Sequence, residues 1–309
     1  MRVLLTGSAG LVGRQLTGLL RSQGAEVTPF DLAEDGSDIC DPQRVAAAIK
    51  GCDGVVHLAA VSRVAWGEED PGLCHRTNVV GTERVLQAAL SSRLRPWFIF
   101  ASSREVYGDP DEMPVIEASS VRPLNNYGRS KASGEALVAV AAAAGLRTAV
   151  LRLSNVYGGE NDHPDRAVPS LMWRAVQEED LRLSGLDGFF DFVHVSDTAA
   201  GFALAIDRLE AGAPGLPTVH LATGVATTLG ELAKMSIAAT QSRSKVVILP
   251  TRSFDVKGFC GSPDFAKQVL GWRATITLEA GLDDFLAILR RRGRALDPVS
   301  MPLNLRVAG

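Results

Sequence analysis

Apolar runs of strand length alternate with helix-periodic segments from the first residues onward. Val3, Leu4 and Leu5 form a run that is typical of a strand buried on both faces. Leucines then recur at helical spacing until Gly24, which predicts a helix that ends at this glycine. Further glycines lie between the two segments. The pattern therefore predicts a strand, a glycine turn and a helix.

The same alternation continues to about residue 155. Strands are predicted at residues 27–30, 55–60, 97–101 and 148–153, and a further short strand is predicted to end at Asp38 and Ile39. Helices are predicted from Asp41 and Pro42, which suit an N-cap and a first helical position, and at residues 78–90 and 127–144. Strands that alternate with helices predict the α/β class, with a Rossmann-type doubly wound parallel sheet.

The pattern changes after residue 156. A polar loop is followed by predicted helices at residues 168–177, 198–209, 231–240 and 278–290, and by a predicted strand at 189–195. We therefore expect a Rossmann unit made of residues 1–155 with 191–212, and a smaller α/β unit made of residues 156–190 with 213–309. The first unit is the expected cofactor domain and the second the expected substrate-binding domain.

The glycine turn is the first candidate binding site. Gly7, Gly10 and Gly13 let backbone N–H groups approach a pyrophosphate, and the start of the helix adds a partial positive charge there. Asp31 follows the second predicted strand, where a carboxylate binds the adenosine ribose hydroxyls and repels a 2′-phosphate. This combination predicts a dinucleotide site that prefers NAD to NADP.

A phenol and an ammonium group lie four residues apart at Tyr127 and Lys131. On a helix they share one face, and the Lys131 cation together with an oxidised nicotinamide is expected to lower the pKa of Tyr127. Such a phenol takes a proton from a hydroxyl while hydride leaves the same carbon. Ser103, at the end of the preceding strand, is placed to bond the reacting oxygen. These three residues are the candidate catalytic set.

Composition narrows the possible partners. The chain of 309 residues has a net charge of -3, so it lacks the basic footprint of a nucleic-acid-binding protein. Its four cysteines show no C-x-x-C spacing, which predicts no metal site and favours a reducing compartment. No signal peptide or membrane-spanning run is evident, so we expect a cytoplasmic protein with no membrane partner.

With these motifs in order, the chain resembles the extended short-chain dehydrogenases/reductases, and among them the NAD-dependent epimerase/dehydratase family. The matching segments are TGSAGLVG (6–13), Asp31, Asp38–Ile39, HLAA (57–60), NVVGT (78–82), SSREVYG (102–108), YGRSK (127–131), LRLSNVYG (151–158) and DFVHVSD (191–197). A weaker match continues through Arg252 and residues 270–272.

The resemblance implies roles for individual residues. NAD would contact Gly7, Gly10, Leu11, Val12, Gly13, Asp31, Asp38, Ile39, Leu58, Ala59, Ala60, Asn78, Tyr127 and Lys131. A nucleotide-sugar substrate would contact Ser103, Glu105, Asn155 and Arg252. Asn78 could equally serve only to fix local backbone. Glu105 could equally form a salt bridge with a neighbour such as Arg104.

The resemblance favours a 4-epimerase resembling those that interconvert UDP-glucose and UDP-galactose. Dehydratases of the family carry an Asp–Glu pair where this chain has Arg104 and Glu105, so the usual acid for removing water is missing. A sugar dehydrogenase or reductase, a dehydratase or decarboxylase, and a non-catalytic dinucleotide sensor remain alternatives. The family also implies a homodimer, formed by the helices after Asn78 and Tyr127.

One departure from the family concerns substrate binding. Many nucleotide-sugar enzymes have an arginine directly before the DFV segment, where it pairs with the substrate pyrophosphate, whereas this chain has Phe190. Loss of a bidentate phosphate contact would weaken that binding mode. Arg166 and Arg174 are further candidates for the missing cation.

Overall fold

A computed structural model of the chain describes residues 1–250 and 256–293, with side chains as far as residue 291. The strands are β1 (Arg2–Thr6), β2 (Glu26–Phe30), β3 (Gly54–His57), β4 (Trp97–Ser103), β5 (Thr148–Leu153), β6 (Asn155–Tyr157), β7 (Leu181–Ser184), β8 (Phe189–Phe190), β9 (Phe192–His194), β10 (Val219–Leu221), β11 (Thr227–Thr228) and β12 (Val246–Leu249).

The helices lie between these strands and after them. They are α1 (Leu11–Ser22), α2 (Leu32–Asp35), α3 (Pro42–Ile49), α4 (Val64–Glu69), α5 (Pro71–His75), α6 (Thr82–Ser91), α7 (Asn126–Ala143), α8 (Ala167–Val176), α9 (Val195–Glu210), α10 (Leu229–Thr240), α11 (Asp264–Leu270) and α12 (Leu278–Gly293). None of the described helices is long and apolar enough to cross a membrane.

The main sheet has six parallel strands in the order β10-β5-β4-β3-β1-β2. The chain therefore changes direction across the sheet between β1 and β3, which creates a crevice at the carboxyl ends of these strands. This topology confirms the predicted α/β class and the doubly wound sheet. It also brings the ends of β1, β3 and β4 to one edge, where the candidate residues follow them.

Alternate residues of each central strand enter different cores. Val3, Leu5 and Ile99 pack with α1, α9 and α11 on one face. Leu4 and Phe98 pack with α3, α6 and α7 on the other. Both faces are covered, which explains why these strands are continuous apolar runs without polar alternation.

A third apolar cluster lies outside the main sheet. It is built from α8, β7, α10 and α12, together with Tyr157 and Phe192. Most of its residues lie in the ranges predicted for the smaller unit, whereas Phe192 lies in the range 191–212 that was predicted to belong to the Rossmann unit. The exact boundaries of the two units stay a prediction.

Three predicted elements differ in the structure. Asp38 and Ile39 belong to no strand, because the Asp38 carboxylate accepts a hydrogen bond from the Cys40 N–H at 2.8 Å and a turn forms before α3. The predicted strand at 189–195 is interrupted at Asp191, and its last residue already belongs to α9. The predicted helix at 78–90 begins within a wider π-helical segment, Arg76–Gly81, that runs into α6.

The interruption at Asp191 has a physical cause. Its buried carboxylate accepts hydrogen bonds from the Thr223 N–H, the Thr223 hydroxyl and the Gly224 N–H, all at 2.8–2.9 Å. Its carbonyl also accepts from the Ser154 hydroxyl and the Asn155 N–H. This residue therefore ties β8 and β9 to the end of β5, and it fixes where Phe190 lies.

The glycine turn depends on the closest backbone packing in the crevice. A Cβ on Gly7 would lie 2.6 Å from the Ala59 nitrogen, and Gly7 also has a φ of +72°. A Cβ on Gly13 would lie 2.2 Å from the Gly7 carbonyl oxygen. Only glycine allows β1, the start of α1 and the end of β3 to meet at this distance.

Two glycines of α1 make this packing testable. Gly13→Ala should lower the free energy of unfolding by about 2–3 kcal/mol, because backbone must move to admit the new Cβ. Gly18 lies in the same helix, but a Cβ there meets nothing within 4 Å. Gly18→Ala should therefore be neutral or stabilise by up to about 1 kcal/mol through helix propensity. Urea unfolding would measure both, and equal losses would contradict this account of the turn.

Candidate active site

The candidate cofactor residues meet at the crevice between β1 and β3. Asp31 joins the glycine turn to the end of β2, because its carboxylate accepts hydrogen bonds from the Ala9 N–H and the Ala33 N–H, both at 2.9 Å. Leu11 and Val12 open α1, and Leu58, Ala59 and Ala60 become partly exposed as β3 ends. The predicted residues are therefore brought together by the sheet edge.

The crevice fits a dinucleotide phosphate. Gly7, Gly10 and Gly13 leave the backbone of the turn open to a pyrophosphate, and the turn precedes the N-terminus of a helix of 12 residues. The Ser8 hydroxyl is buried in this turn and has no hydrogen-bond partner among the described residues. A phosphate oxygen would supply an acceptor for such a donor. Gly7, Gly10, Gly13 and Ser8 would hold this part of NAD.

The other residues predicted to contact NAD differ in their burial and in their contacts. Ile39 is buried against Gly81, and Asp38 is half-buried beside it. Asn78 is buried, and its side chain bonds the Val61 N–H and carbonyl at 2.7 and 3.0 Å and the Ser130 hydroxyl at 2.8 Å. These contacts match the alternative role of Asn78, which is to fix the backbone after β3. Its contact with NAD stays a prediction.

Helix α7 presents Tyr127 and Lys131 beside the end of β4. The helix begins because the Asn125 side chain accepts a hydrogen bond from the Gly128 N–H at 2.7 Å. The Lys131 ammonium donates to the Ala101 carbonyl at 2.8 Å and lies 5.9 Å from the centre of the Tyr127 ring. The Ser103 hydroxyl hydrogen-bonds the Tyr127 phenol. The three candidate catalytic residues therefore form one cluster.

The protein groups alone do not lower the pKa of Tyr127. Burial raises the pKa of this phenol to about 12, and this effect outweighs the hydrogen bond from Ser103, which acts in the opposite direction. The expectation that the Lys131 cation together with an oxidised nicotinamide lowers this pKa stays a prediction, since the Lys131 ammonium is bound to the Ala101 carbonyl and the protein groups alone raise the pKa. A positive charge outside the protein is needed to favour the phenolate.

Lys131 is itself perturbed by its surroundings. Burial lowers the pKa of its ammonium to about 8. The Phe100 ring lies 5.0 Å below the ammonium, and the Ala101 carbonyl provides a hydrogen bond. Lys131 is therefore mostly protonated at neutral pH and becomes a neutral amine above about pH 8.

The candidate substrate residues lie around the same cluster. Asn155 begins β6 and accepts a hydrogen bond from Arg104 Nε at 2.5 Å. Glu105 is buried, and its carboxylate oxygens are bonded by Arg104 Nη2 at 2.7 Å and by Asn125 Nδ2 at 2.8 Å. The ion pair that was the alternative role of Glu105 is therefore present. Arg252 lies outside the described residues.

The position at which the family resemblance predicts an arginine is occupied by an aromatic ring. Phe190 is half-buried, and the Arg104 guanidinium lies 4.7 Å from the centre of its ring. Arg166 bonds the Val156 carbonyl and Asp162, and Arg174 forms an ion pair with Glu179. Both of these arginines are therefore engaged with protein groups.

Two residues of the site were not singled out from the sequence. Asn125 caps α7 and also holds Glu105, and its place just before the helix is an N-cap signal that sequence analysis could have used. Arg104 was noted only as a replacement for an acidic residue and as a salt-bridge partner of Glu105. Its contacts with Asn155 and Phe190 join parts of the chain that are far apart in sequence, so no local pattern indicates them.

The buried lysine gives a pH-dependent prediction. Between a folded pKa of about 8 and an unfolded pKa of 10.5, the unfolded chain binds more protons, so the stability of the native protein rises with pH relative to Lys131→Met. The difference in unfolding free energy between the two proteins should change by about 2–3 kcal/mol from pH 7 to pH 10. Urea unfolding without NAD measures it.

Lys267 in α11 provides the matched control, because it is exposed. Lys267→Met should show the same difference from the unaltered protein at both pH values. If the difference in unfolding free energy between Lys131→Met and the unaltered protein does not change with pH, the prediction that Lys131 is a buried ammonium is wrong.

Comparison with known proteins places this geometry in a family. Residues 3–219 match the model of the NAD dependent epimerase/dehydratase family. A UDP-glucose 4-epimerase of Rhizobium meliloti is 28% identical, and the alignment covers 90% of this chain and 94% of that protein.

Solved structures agree with this match over nearly the full chain. The UDP-glucose 4-epimerase of Thermotoga maritima, solved with UDP-glucose, has a TM-score of 0.87 and 26% identity, with 94% of this chain and 99% of that one covered. MoeE5, solved in complex with UDP-glucuronic acid and NAD, has a TM-score of 0.85 and 28% identity, with 94% and 100% covered.

The match spans more than half of the chain and includes the glycine turn, Ser103, Tyr127 and Lys131. The resemblance read from the motifs is therefore confirmed, and NAD is the cofactor of this family. The chain belongs to the NAD-dependent epimerase/dehydratase family.

Proposed function

We propose that this enzyme is a nucleotide-sugar 4-epimerase. The observation that carries the proposal is the cluster of Ser103, Tyr127 and Lys131 beside a glycine turn that fits a dinucleotide. The similarity to UDP-glucose 4-epimerases over about nine-tenths of the chain supports the same reaction. A UDP-hexose is the substrate class that follows from these relatives.

Each residue of the cluster has a separate role in the proposed proton transfer. Tyr127 takes the proton of the C4 hydroxyl and returns it after the sugar has turned over, and Ser103 bonds the C4 oxygen. Lys131 holds its charge next to the phenol and binds the cofactor ribose. Bound NAD supplies a hydride acceptor at C4 and a positive charge that favours the Tyr127 phenolate. Loss of hydride from C4 and of the proton from its hydroxyl gives a 4-keto sugar. Return of the hydride to the other face of C4 and of the proton to the C4 oxygen gives the epimer.

Cofactor stoichiometry distinguishes this reaction from its alternatives. With UDP-galactose as the substrate, we expect UDP-glucose to form while reduced nicotinamide stays below the enzyme concentration. A dehydrogenase would accumulate reduced nicotinamide at each turnover, and a dehydratase would release water. A decarboxylase would leave UDP-galactose unchanged and release carbon dioxide only from UDP-glucuronic acid, which is assayed in parallel. A dinucleotide sensor would bind NAD and leave the sugar unchanged. Nuclear magnetic resonance of the sugar together with nicotinamide absorbance would separate these outcomes.

Tyr127→Phe tests the proposed base. Turnover should fall by about 10²–10⁴-fold, because no other group in the cluster can take the proton, while NAD affinity stays nearly unchanged. Tyr157→Phe is the matched control, since that phenol packs in the third apolar cluster. It should keep turnover within about threefold of the original enzyme. Near-normal turnover of Tyr127→Phe would remove Tyr127 from the mechanism.

We also propose that the enzyme forms a homodimer through α6 and α7. Ala136 and Val140 are exposed on α7 at helical spacing, and Val140 is 69% accessible. Gly134, in contrast, packs against Phe100 within the subunit, so it serves the internal core. Sedimentation of the enzyme and of Val140→Glu would test the dimer, which the variant should dissociate.

A cytoplasmic location is likewise proposed. The four cysteines are all free, as expected in a reducing compartment. Fractionation of the cells that produce the protein would test this location, and recovery outside the cytoplasm would contradict it.

A further inference from the structure

Arg104 is a nearly buried cation in the substrate side of the crevice. Its side chain is 11% exposed, and it directly follows Ser103, which bonds the Tyr127 phenol. Its Nε donates to Asn155 Oδ1 at 2.5 Å, and its Nη2 pairs with Glu105 Oε1 at 2.7 Å. The guanidinium is therefore held from two sides, and its residue is adjacent in sequence to Ser103 of the candidate catalytic cluster.

One donor of this guanidinium is not used by the protein. Nη1 is enclosed and has no hydrogen-bond partner among the described residues. A buried donor without an acceptor is costly, so natural sites usually supply one. Glu105 cannot easily provide it, because its second oxygen already accepts from Asn125 Nδ2 at 2.8 Å. The Nη1 group is therefore available to an acceptor that the described residues do not supply.

Phe190 accounts for the orientation of Arg104. The guanidinium lies 4.7 Å from the centre of the Phe190 ring, a distance at which arginine and an aromatic face attract each other. The ring is fixed because the adjacent Asp191 carboxylate binds Thr223 and Gly224. Phe190 cannot bind an anion itself, but it positions a cation that comes from the end of β4.

We propose that Arg104 is the specificity-determining residue that binds an oxyanion of the substrate, with Phe190 as its positioning residue. The inference rests on the proposed function, because it concerns the same substrate site. Two groups of a nucleotide sugar present such an oxygen: the diphosphate, and the carboxylate of a uronic acid. Arg104 binds either group through its free donor, in a bidentate or single charge-assisted hydrogen bond.

Binding is best measured without turnover. In the Tyr127→Phe background, calorimetry gives dissociation constants for UDP, UDP-glucose and UDP-glucuronic acid in the presence of NAD. Arg104→Met should weaken binding of at least one of them by about 10- to 100-fold, the loss expected for a hydrogen bond to a charged group. Arg104→Lys should recover part of this loss, because it keeps the charge without the planar fork.

The three ligands distinguish the two possible sources of the oxyanion, which are the diphosphate and the carboxylate of a uronic acid. An equal loss for all three assigns the diphosphate to Arg104. A loss confined to UDP-glucuronic acid assigns the sugar carboxylate and predicts a uronic acid as the preferred substrate. Phe190→Leu should give a smaller loss for the same probe, because the guanidinium loses its aromatic support. Arg208→Met, at an exposed position in α9, is the matched control.

The proposal is overturned if Arg104→Met changes all three dissociation constants by less than about twofold, as Arg208→Met should. NAD affinity and the thermal midpoint show whether each variant is folded. If Arg104→Met lowers the midpoint, Arg104→Gln is measured instead, and dissociation constants within about twofold of the original for all three ligands in that variant also overturn the proposal. If the unaltered enzyme epimerises no sugar but binding depends on Arg104, the proposed function fails and this inference stands.

Discussion

The crevice exists because backbone meets backbone without intervening side chains. Gly7 lies against the end of β3, and Gly13 lies against the carbonyl of Gly7, so the first strand, first helix and third strand share one edge. Behind this contact, the buried His57 ring bonds Thr6 at 2.7 Å and Thr82 at 2.9 Å. Burial lowers the pKa of His57 to about 3, so the ring is neutral there and adds no charge to the crevice.

The position of the cofactor then decides what the catalytic cluster can do. Tyr127 and Lys131 are fixed by a helix that starts at Asn125, and Ser103 is fixed by a strand that is buried along its length. The protein groups alone leave the phenol protonated at neutral pH, since its pKa is about 12. Under the proposed function, the chain places the base Tyr127 but does not activate it. Activation would then depend on the charge that bound NAD contributes, which would restrict proton removal to the loaded enzyme.

Local patterns were sufficient for much of the fold and for the proximity of Ser103, Tyr127 and Lys131. The apolar runs predicted the parallel strands, because a strand covered on both faces has no polar side. The spacing of Tyr127 and Lys131 placed them on one helical face, since that geometry depends only on the helix. The ends of the strands could be assigned to one edge as soon as the sheet was expected to be parallel.

Other features depended on contacts that no local pattern contains. Asp38 and Ile39 resemble the end of a strand, but the Asp38 side chain bonds the following backbone and forms a turn. Asp191 interrupts an apolar run because its partners, Thr223 and Gly224, come from a later segment. The pKa of Tyr127 also follows from burial, which the sequence does not report. In each case the deciding partner lies elsewhere in the fold.

The replacement of arginine by Phe190 shows the same limit at the substrate side. Read along the sequence, the change removes a cation from the site. In the folded protein the ring lies next to the Arg104 guanidinium. Arg104 directly follows β4, and its Nη1 group has no hydrogen-bond partner among the described residues. A charge can therefore be kept in a site while the residue that carries it moves to another element, provided that the vacated position supports the new one. The aromatic ring is suited to that task because it packs against a guanidinium without using any of its donors.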